Sequence, residues 1–184
     1  MNEELREELL RLVGIDQDAR KRVIKLMGLG LVREPTEEQR RALDELAAVD
    51  AANTAWLRQV IDDHGWPGIS LVGEDGAHAA WLLAQHADRD VAFQRRCLDL
   101  LTQAVEQNEA SPRDLAYLTD RVLLAEGEEQ VYGTQFEVVE GFHRPRRLGD
   151  PDAVDERRRS VGLGTLAGYA AGMGERYGKP GSGR

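Results

Sequence analysis

Residues 36–65 read TEEQRRALDELAAVDAANTAWLRQVIDDHG, with no proline and no glycine before Gly65. Thr36 stands three residues ahead of Gln39, the spacing in which a hydroxyl caps an open amide and the glutamine returns a bond to the cap. Leu43, Leu46, Leu57, Val60 and Ile61 follow at helical intervals, so the stretch predicts one long helix ending at the glycine. Toward the N-terminus, Glu3 to Val13 and Asp16 to Met27 predict two short charged helices with apolar positions at Leu9, Leu12, Val23, Ile24 and Met27, the second ended by Gly28 and Gly30. So little apolar surface places them across the main body, with a mobile lid or a dimer contact left open.

Toward the C-terminus comes HGWPGISLVGEDG, residues 64–76, where Pro67 excludes helix and Ile69, Leu71 and Val72 read as a short buried strand or an apolar loop. Asp75 precedes a helical run from Gly76 to about Ala87. Asp90 precedes another to about Asn108, with Phe93, Cys97, Leu100, Leu101, Ala104 and Val105 on one face. Ser111, Pro112 and Asp114 open a helix that ends near Gly127. From 130 to 148 the apolar residues Tyr132, Phe136, Val138, Val139 and Phe142 are spaced by glycines and a proline, as in a short hairpin or an ordered irregular segment. Asp150 and Pro151 start a helix holding DERRR, and Leu163, Leu166, Tyr169, Ala170 and Met173 mark the last one. The expected fold is mainly α, a compact multi-helix domain with a short β-hairpin or irregular segment near residues 130–148. Its expected divisions are a variable N-terminal helical extension over 1–35, one helical core over 36–176 and a disordered tail over 177–184.

The 184 residues suit one domain, 41 % hydrophobic and 31 % charged, and the 5 % aromatic content argues against a strand-dense sandwich. One cysteine, Cys97, excludes an intrachain disulfide and a thiolate cluster. No apolar run approaches the roughly 20 residues that cross a bilayer, and the chain begins MNEELREELL rather than with a basic and then apolar leader. A cytoplasmic protein is therefore expected. Residues 35–110 carry 6 basic and 14 acidic side chains and hold nearly all of the net charge of −9. A surface of that sign repels a phosphate backbone, which makes nucleic acid a poor partner.

Function is sought where polar residues interrupt apolar faces. Leu46, Asp50, Asn53, Leu57 and Ile61 share one stripe of the long helix, and a carboxylate and an amide there must find partners or line a pocket. His78, Gln85, His86 and Asp88 cluster on the helix after Gly76. Of these His86 is the acid–base candidate, because imidazole titrates near neutral pH, although a structural helix-end cap is the competing reading. In SPRDLAYLTDRV, Asp120 is placed to orient His86 and Arg121 to grip a carboxylate or phosphate, unless both serve in surface ion pairs. Arg144, Arg146, Arg147, Arg157, Arg158 and Arg159 form the one dense basic feature, an anion-binding edge or a solvated network. No zinc helix, calcium loop, nucleophile elbow, P-loop or dinucleotide pattern is present, so no metal and no cofactor is assigned.

Several of these words also occur together in one order: Asp50 with Asn53, GWPG at 65–68, VGEDGAHAAWLLAQHAD ending at Asp88, Phe93 with Gln94, DLAYLTDRV ending at Val122, YGTQF at 132–136 and DERRRSVGL ending at Leu163. In this, roughly residues 50–166 resemble a bacterial family of unknown function common in actinobacteria. The resemblance implies that Gln85, His86, Asp88, Asp120, Arg121, Gln135 and Arg157 belong to the family's shared pattern. It implies no particular chemistry.

The expected function is a small-molecule group-transfer or hydrolytic enzyme. His86 and Asp120 would be its catalytic pair, and Asp50, Asn53, Gln85, Asp88, Arg121, Gln135 and Arg157 would bind the substrate, a small polar metabolite or a peptide. The alternative is a non-catalytic protein- or peptide-binding domain with a regulatory or immunity role, in which Trp56, Trp66 and Phe142 form an exposed contact surface.

Overall fold

A computed structural model of the chain describes residues 1–28, 34–139 and 142–177. Seven α-helices and one two-stranded hairpin account for most of them: α1 (Glu3–Met27), α2 (Glu37–His64), α3 (Ile69–Gln85), α4 (Val91–Glu106), α5 (Pro112–Ala125), β1 (Phe136–Val139), β2 (Phe142–Pro145), a 3-10 turn at Pro151–Ala153, α6 (Val154–Ser160) and α7 (Leu166–Tyr177). The fold is mainly α. Gly30 and residues 178–184, where a helix stop and a tail were expected, lie outside the described residues.

α2 begins as its caps dictate: the Thr36 hydroxyl accepts from the Gln39 amide, and the Gln39 side chain accepts from the Thr36 amide. α1 departs from expectation, because it is one helix and not two. Gly14 sits inside it with open space around its Cα, and the cost of one interior glycine, about 1 kcal/mol, does not break a helix that is otherwise well packed. The 69–72 segment departs as well. Ile69 to Val72 form a helical turn started by Gly68, whose carbonyl accepts from Leu71 and Val72. Gly73 then takes φ 76°, ψ 169°, and the helix resumes beyond this kink, a conformation glycine adopts without the steric penalty other residues incur.

α3 is the axis of the packing. It touches α1, α2, α4 and α5, and Ala77, Ala79, Ala80 and Ala84 are buried around it beside Trp81 and Leu83. Small side chains on several faces let four helices approach at once. Leu9 of α1, Leu57 and Ile61 of α2, Phe93, Cys97 and Leu101 of α4, and Leu118 and Val122 of α5 complete one hydrophobic core. Burial pushes the Cys97 thiol up to about 12, so this cysteine is inert packing. The hairpin pairs Phe136 with Pro145 and Val139 with Phe142 in antiparallel register, and α7 packs against β2.

Candidate functional site

The C-terminal end of α3 and the turn after it create the site. His86 closes the helix with its amide donating to the Leu83 carbonyl, and the amides of Ala87 and Asp90 donate to the carbonyls of Ala84 and Ala87 in the tight turn that follows. Gln94, fully buried on α4, holds this turn by donating from its side-chain nitrogen to the carbonyls of Ala84 and Gln85 and to Asp88 Oδ1. The His86 ring is thereby fixed against α1 and α2.

His86 Nδ1 lies 3.0 Å from both oxygens of Asp16 and 3.0 Å from Arg20 Nε. Both Asp16 and Arg20 Nε face Nδ1: with the hydrogen on Nδ1 the ring donates to Asp16 and Arg20 Nε donates to the same carboxylate at 3.2 Å, and in the other tautomer Nδ1 accepts from Arg20 Nε. In the first of these tautomers the lone pair is on Nε2, which has no hydrogen-bond partner among the described residues. Arg20 also reaches the second helix: its Nη2 donates to Asp50 Oδ1 at 2.6 Å. One guanidinium thus joins two carboxylates and an imidazole.

The two carboxyl groups differ in proton affinity. Asp16 has no accessible surface; burial alone would raise its pKa, but the hydrogen bond and charge of His86, with Arg20 and the Gln17 amide, hold it below the ordinary value of 3.8. Asp50 goes the other way. Burial and the neighbouring Asp16 charge outweigh Arg20 and His86, and its pKa is raised. Neighbouring acids whose surroundings drive them apart are a mark of sites that move protons.

Asp50 and His86 line a cavity of about 270 Å³ with Ala51, Thr54, Ala55, Arg58 and Arg89, a volume suited to a small molecule. A larger cavity, about 870 Å³, is walled by Trp81, Tyr117, Tyr169 and a His78–Asp114 pair. There the Asp114 hydrogen bond raises the His78 pKa against burial.

The other residues singled out from sequence divide into two groups. Asp88 and Arg121 adjoin the site: Arg121 Nη1 meets Asp88 Oδ2 at 3.4 Å, and the charges of Arg20 and Asp50 act on Arg121. Asn53 and Gln85 are buried one turn from Asp50 and one residue from His86, and Asn53 Nδ2 and Gln85 Oε1 have no hydrogen-bond partner among the described residues. Asp120, Gln135 and Arg157 bond within the segment 131–150, and the pairing of Asp120 with His86 is corrected. The partner of His86 is Asp16, whereas both Asp120 oxygens are occupied by the amides of Val131, Tyr132 and Thr134 and the Thr134 hydroxyl. Four donors on a buried carboxylate make it the anchor of that loop. The Gln135 side chain donates to Thr134 Oγ1. Arg157 is consumed by the carbonyls of Val131, Gly149 and Asp150. Arg158, expected on a basic edge, is buried beneath Tyr169 with Tyr132 and Gly164 carbonyls as acceptors.

The model of a family of unknown function, DUF6624, matches residues 3–180. The chain belongs to this family. No curated protein and no solved structure matches it. The DUF6624 match takes in α1, the helix that holds Asp16 and Arg20. Both residues escape a sequence reading that treats the first 35 residues as an extension. A signal for them does exist in this DUF6624 chain: Leu5, Leu9, Leu12, Asp16 and Ala19 form one helical stripe, and a charge on such a stripe needs a partner. Among the described residues no three of His, Cys, Asp and Glu stand together as a metal-binding group, and no helix is long and apolar enough to cross a membrane. Trp56 and Trp66 pack against the core and do not form an exposed pair; the Phe142 side chain lies outside the described residues.

Proposed function

We propose that the protein is an enzyme of acid–base group transfer or hydrolysis acting on a small polar substrate at the Asp50–His86 cavity. The observation that carries this reading is the Asp16–His86–Arg20–Asp50 chain, in which a ring backed by a buried carboxylate lines an open cavity together with a carboxyl group of raised pKa. His86 Nε2 takes a proton from the attacking water or hydroxyl, and Asp16 stabilises the imidazolium that forms. Asp50, in its protonated form, gives a proton to the departing group as that bond breaks, and the imidazolium then passes the proton it took to the Asp50 carboxylate through solvent, which restores both groups. Arg20 positions both groups.

A panel of activated ester, amide and phosphate-ester probes incubated with the wild-type protein, Asp50→Asn and His86→Gln tests it. At least one probe class is expected to be turned over by wild type, with a loss of about a hundredfold or more in each variant, in the range general acid–base groups contribute. Turnover unaffected in both variants, or none by wild type with any class, removes the reading.

A further inference from the structure

The cavity of about 870 Å³ shares no lining residue with the Asp50–His86 cavity, and its chemistry is different. One side is aromatic: Trp81 of α3, Tyr117 of α5 and Tyr169 of α7 line it. These rings meet edge to face, Trp81 with Tyr117 at 5.9 Å and Tyr117 with Tyr169 at 6.2 Å between centroids, and Phe136 of the hairpin meets Tyr169 in the same way at 5.2 Å. Rings braced against one another from three helices and a hairpin offer a further ring a fixed surface to pack on. The polar residues of the lining divide by what they are free to do. His78 and Asp114 are committed to each other, Nδ1 to Oδ2 at 2.8 Å, with the imidazole 4.8 Å from the Trp81 ring. Glu74, one turn before His78 on α3, and Arg113, beside Asp114 on α5, also line the cavity, and neither has a hydrogen-bond or ion-pair partner among the described residues. Asp75, the residue after Glu74, is by contrast taken by both Nε and Nη2 of Arg6. The cavity thus presents one open carboxylate, one open guanidinium and an aromatic wall. A simple anion is repelled by Glu74 and a simple cation by Arg113. A molecule that carries both charges on an aromatic body satisfies all three features: its ammonium meets Glu74 and the ring faces, and its carboxylate meets the fork of Arg113.

We propose that this cavity is a second binding site, for an aromatic zwitterion with the chemistry of an aromatic amino acid or a short peptide with free termini, its ammonium on Glu74, its carboxylate on Arg113 and its ring against Trp81, Tyr117 and Tyr169. The site stands apart from the acid–base cavity and does not depend on the function proposed for it.

The test titrates the full chain with L-phenylalanine, with L-phenylalanyl-L-phenylalanine, with the N-acetyl form and the C-terminal amide of that dipeptide, and with L-alanyl-L-alanine. Affinities are measured by calorimetry while the histidine ring resonances are followed by NMR. The His78 signal, identified by its loss in His78→Gln, is expected to shift saturably with phenylalanine or its dipeptide, and the tighter of the two gives the length of the ligand. Each blocked dipeptide, and the dipeptide without rings, binds more weakly by about fivefold or more. Glu74 and Arg113 are exposed and hold nothing else in place, so Glu74→Gln and Arg113→Gln fold as wild type does. Glu74→Gln is expected to bind the free and N-acetylated dipeptides alike, and Arg113→Gln the free dipeptide and its amide alike. No saturable binding, a response at His86 in place of His78, equal binding of the blocked or ringless dipeptides by wild type, or discrimination that survives in the matching variant overturns the proposal. His86→Gln keeps the response, so loss of turnover and loss of zwitterion binding are read separately.

Discussion

Two carboxyl groups share the guanidinium of Arg20, and the difference between them is depth. Asp16 is sealed and bonded to His86, Arg20 and Gln17, so only its ionised form satisfies those donors; Asp50 borders the cavity and has one. The held-down pKa of Asp16 means that its contribution to stability is complete above the unfolded value of 3.8 and is lost as pH falls through the folded one. Asp16→Ala leaves His86 and Arg20 without their buried partner and is expected to cost about 3 kcal/mol or more, measured by urea unfolding at pH 7. The deficit relative to wild type should shrink below pH 4. His78 has the opposite sign. Its raised pKa places the stabilisation by Asp114 below the unfolded value of 6.5 and removes it as pH rises through the folded value. An NMR titration should therefore find the His78 midpoint above that of an exposed histidine in wild type and shifted back down in Asp114→Asn.

At the level of elements, two glycines in helical stretches carry opposite predictions. Gly14 is in the interior of α1 with nothing within 4 Å of an added Cβ, so Gly14→Ala is expected to stabilise the protein by roughly 0.5–1 kcal/mol. Gly73 holds φ 76°, and a Cβ there would come to 3.3 Å from Asp75 Oδ1. Gly73→Ala is expected to destabilise by about 1–2 kcal/mol. Thermal unfolding of the two variants beside wild type decides both signs. The kink matters beyond its own energy, because it sets the direction of the helix that carries His86. Periodicity located that helix and its end, since caps and apolar spacing act within a turn or two; it missed the 69–72 turn because three apolar residues, Ile69, Leu71 and Val72, shortly after a proline fit a strand equally well.

For the molecule as a whole, α1 is structural and chemical at once. It supplies Leu9 to the core and both Asp16 and Arg20 to the site, and it packs along α2 and α3. Deletion of residues 1–34 removes Leu9 from the core and strips His86 and Asp50 of their charged partners. The expected result is loss of the cooperative unfolding transition by circular dichroism, and a shortened chain that unfolds as wild type does would refute this placement of α1.

The amino-acid sequence alone determined the helical class, the capped start of α2, the hairpin region and the candidacy of Asp50, Asn53, His86 and Arg121, because patterning and capping are local and a polar residue on an apolar stripe is visible in one dimension. Which carboxylate meets His86 was decided only by the packing of α1 against α3, across 70 residues of chain. Asp16 and Asp120 are both acids on otherwise apolar helix faces, and nothing within a few residues of either distinguishes a carboxylate that orients an imidazole from one that anchors a loop. That difference arises from where distant donors come to rest when the core closes.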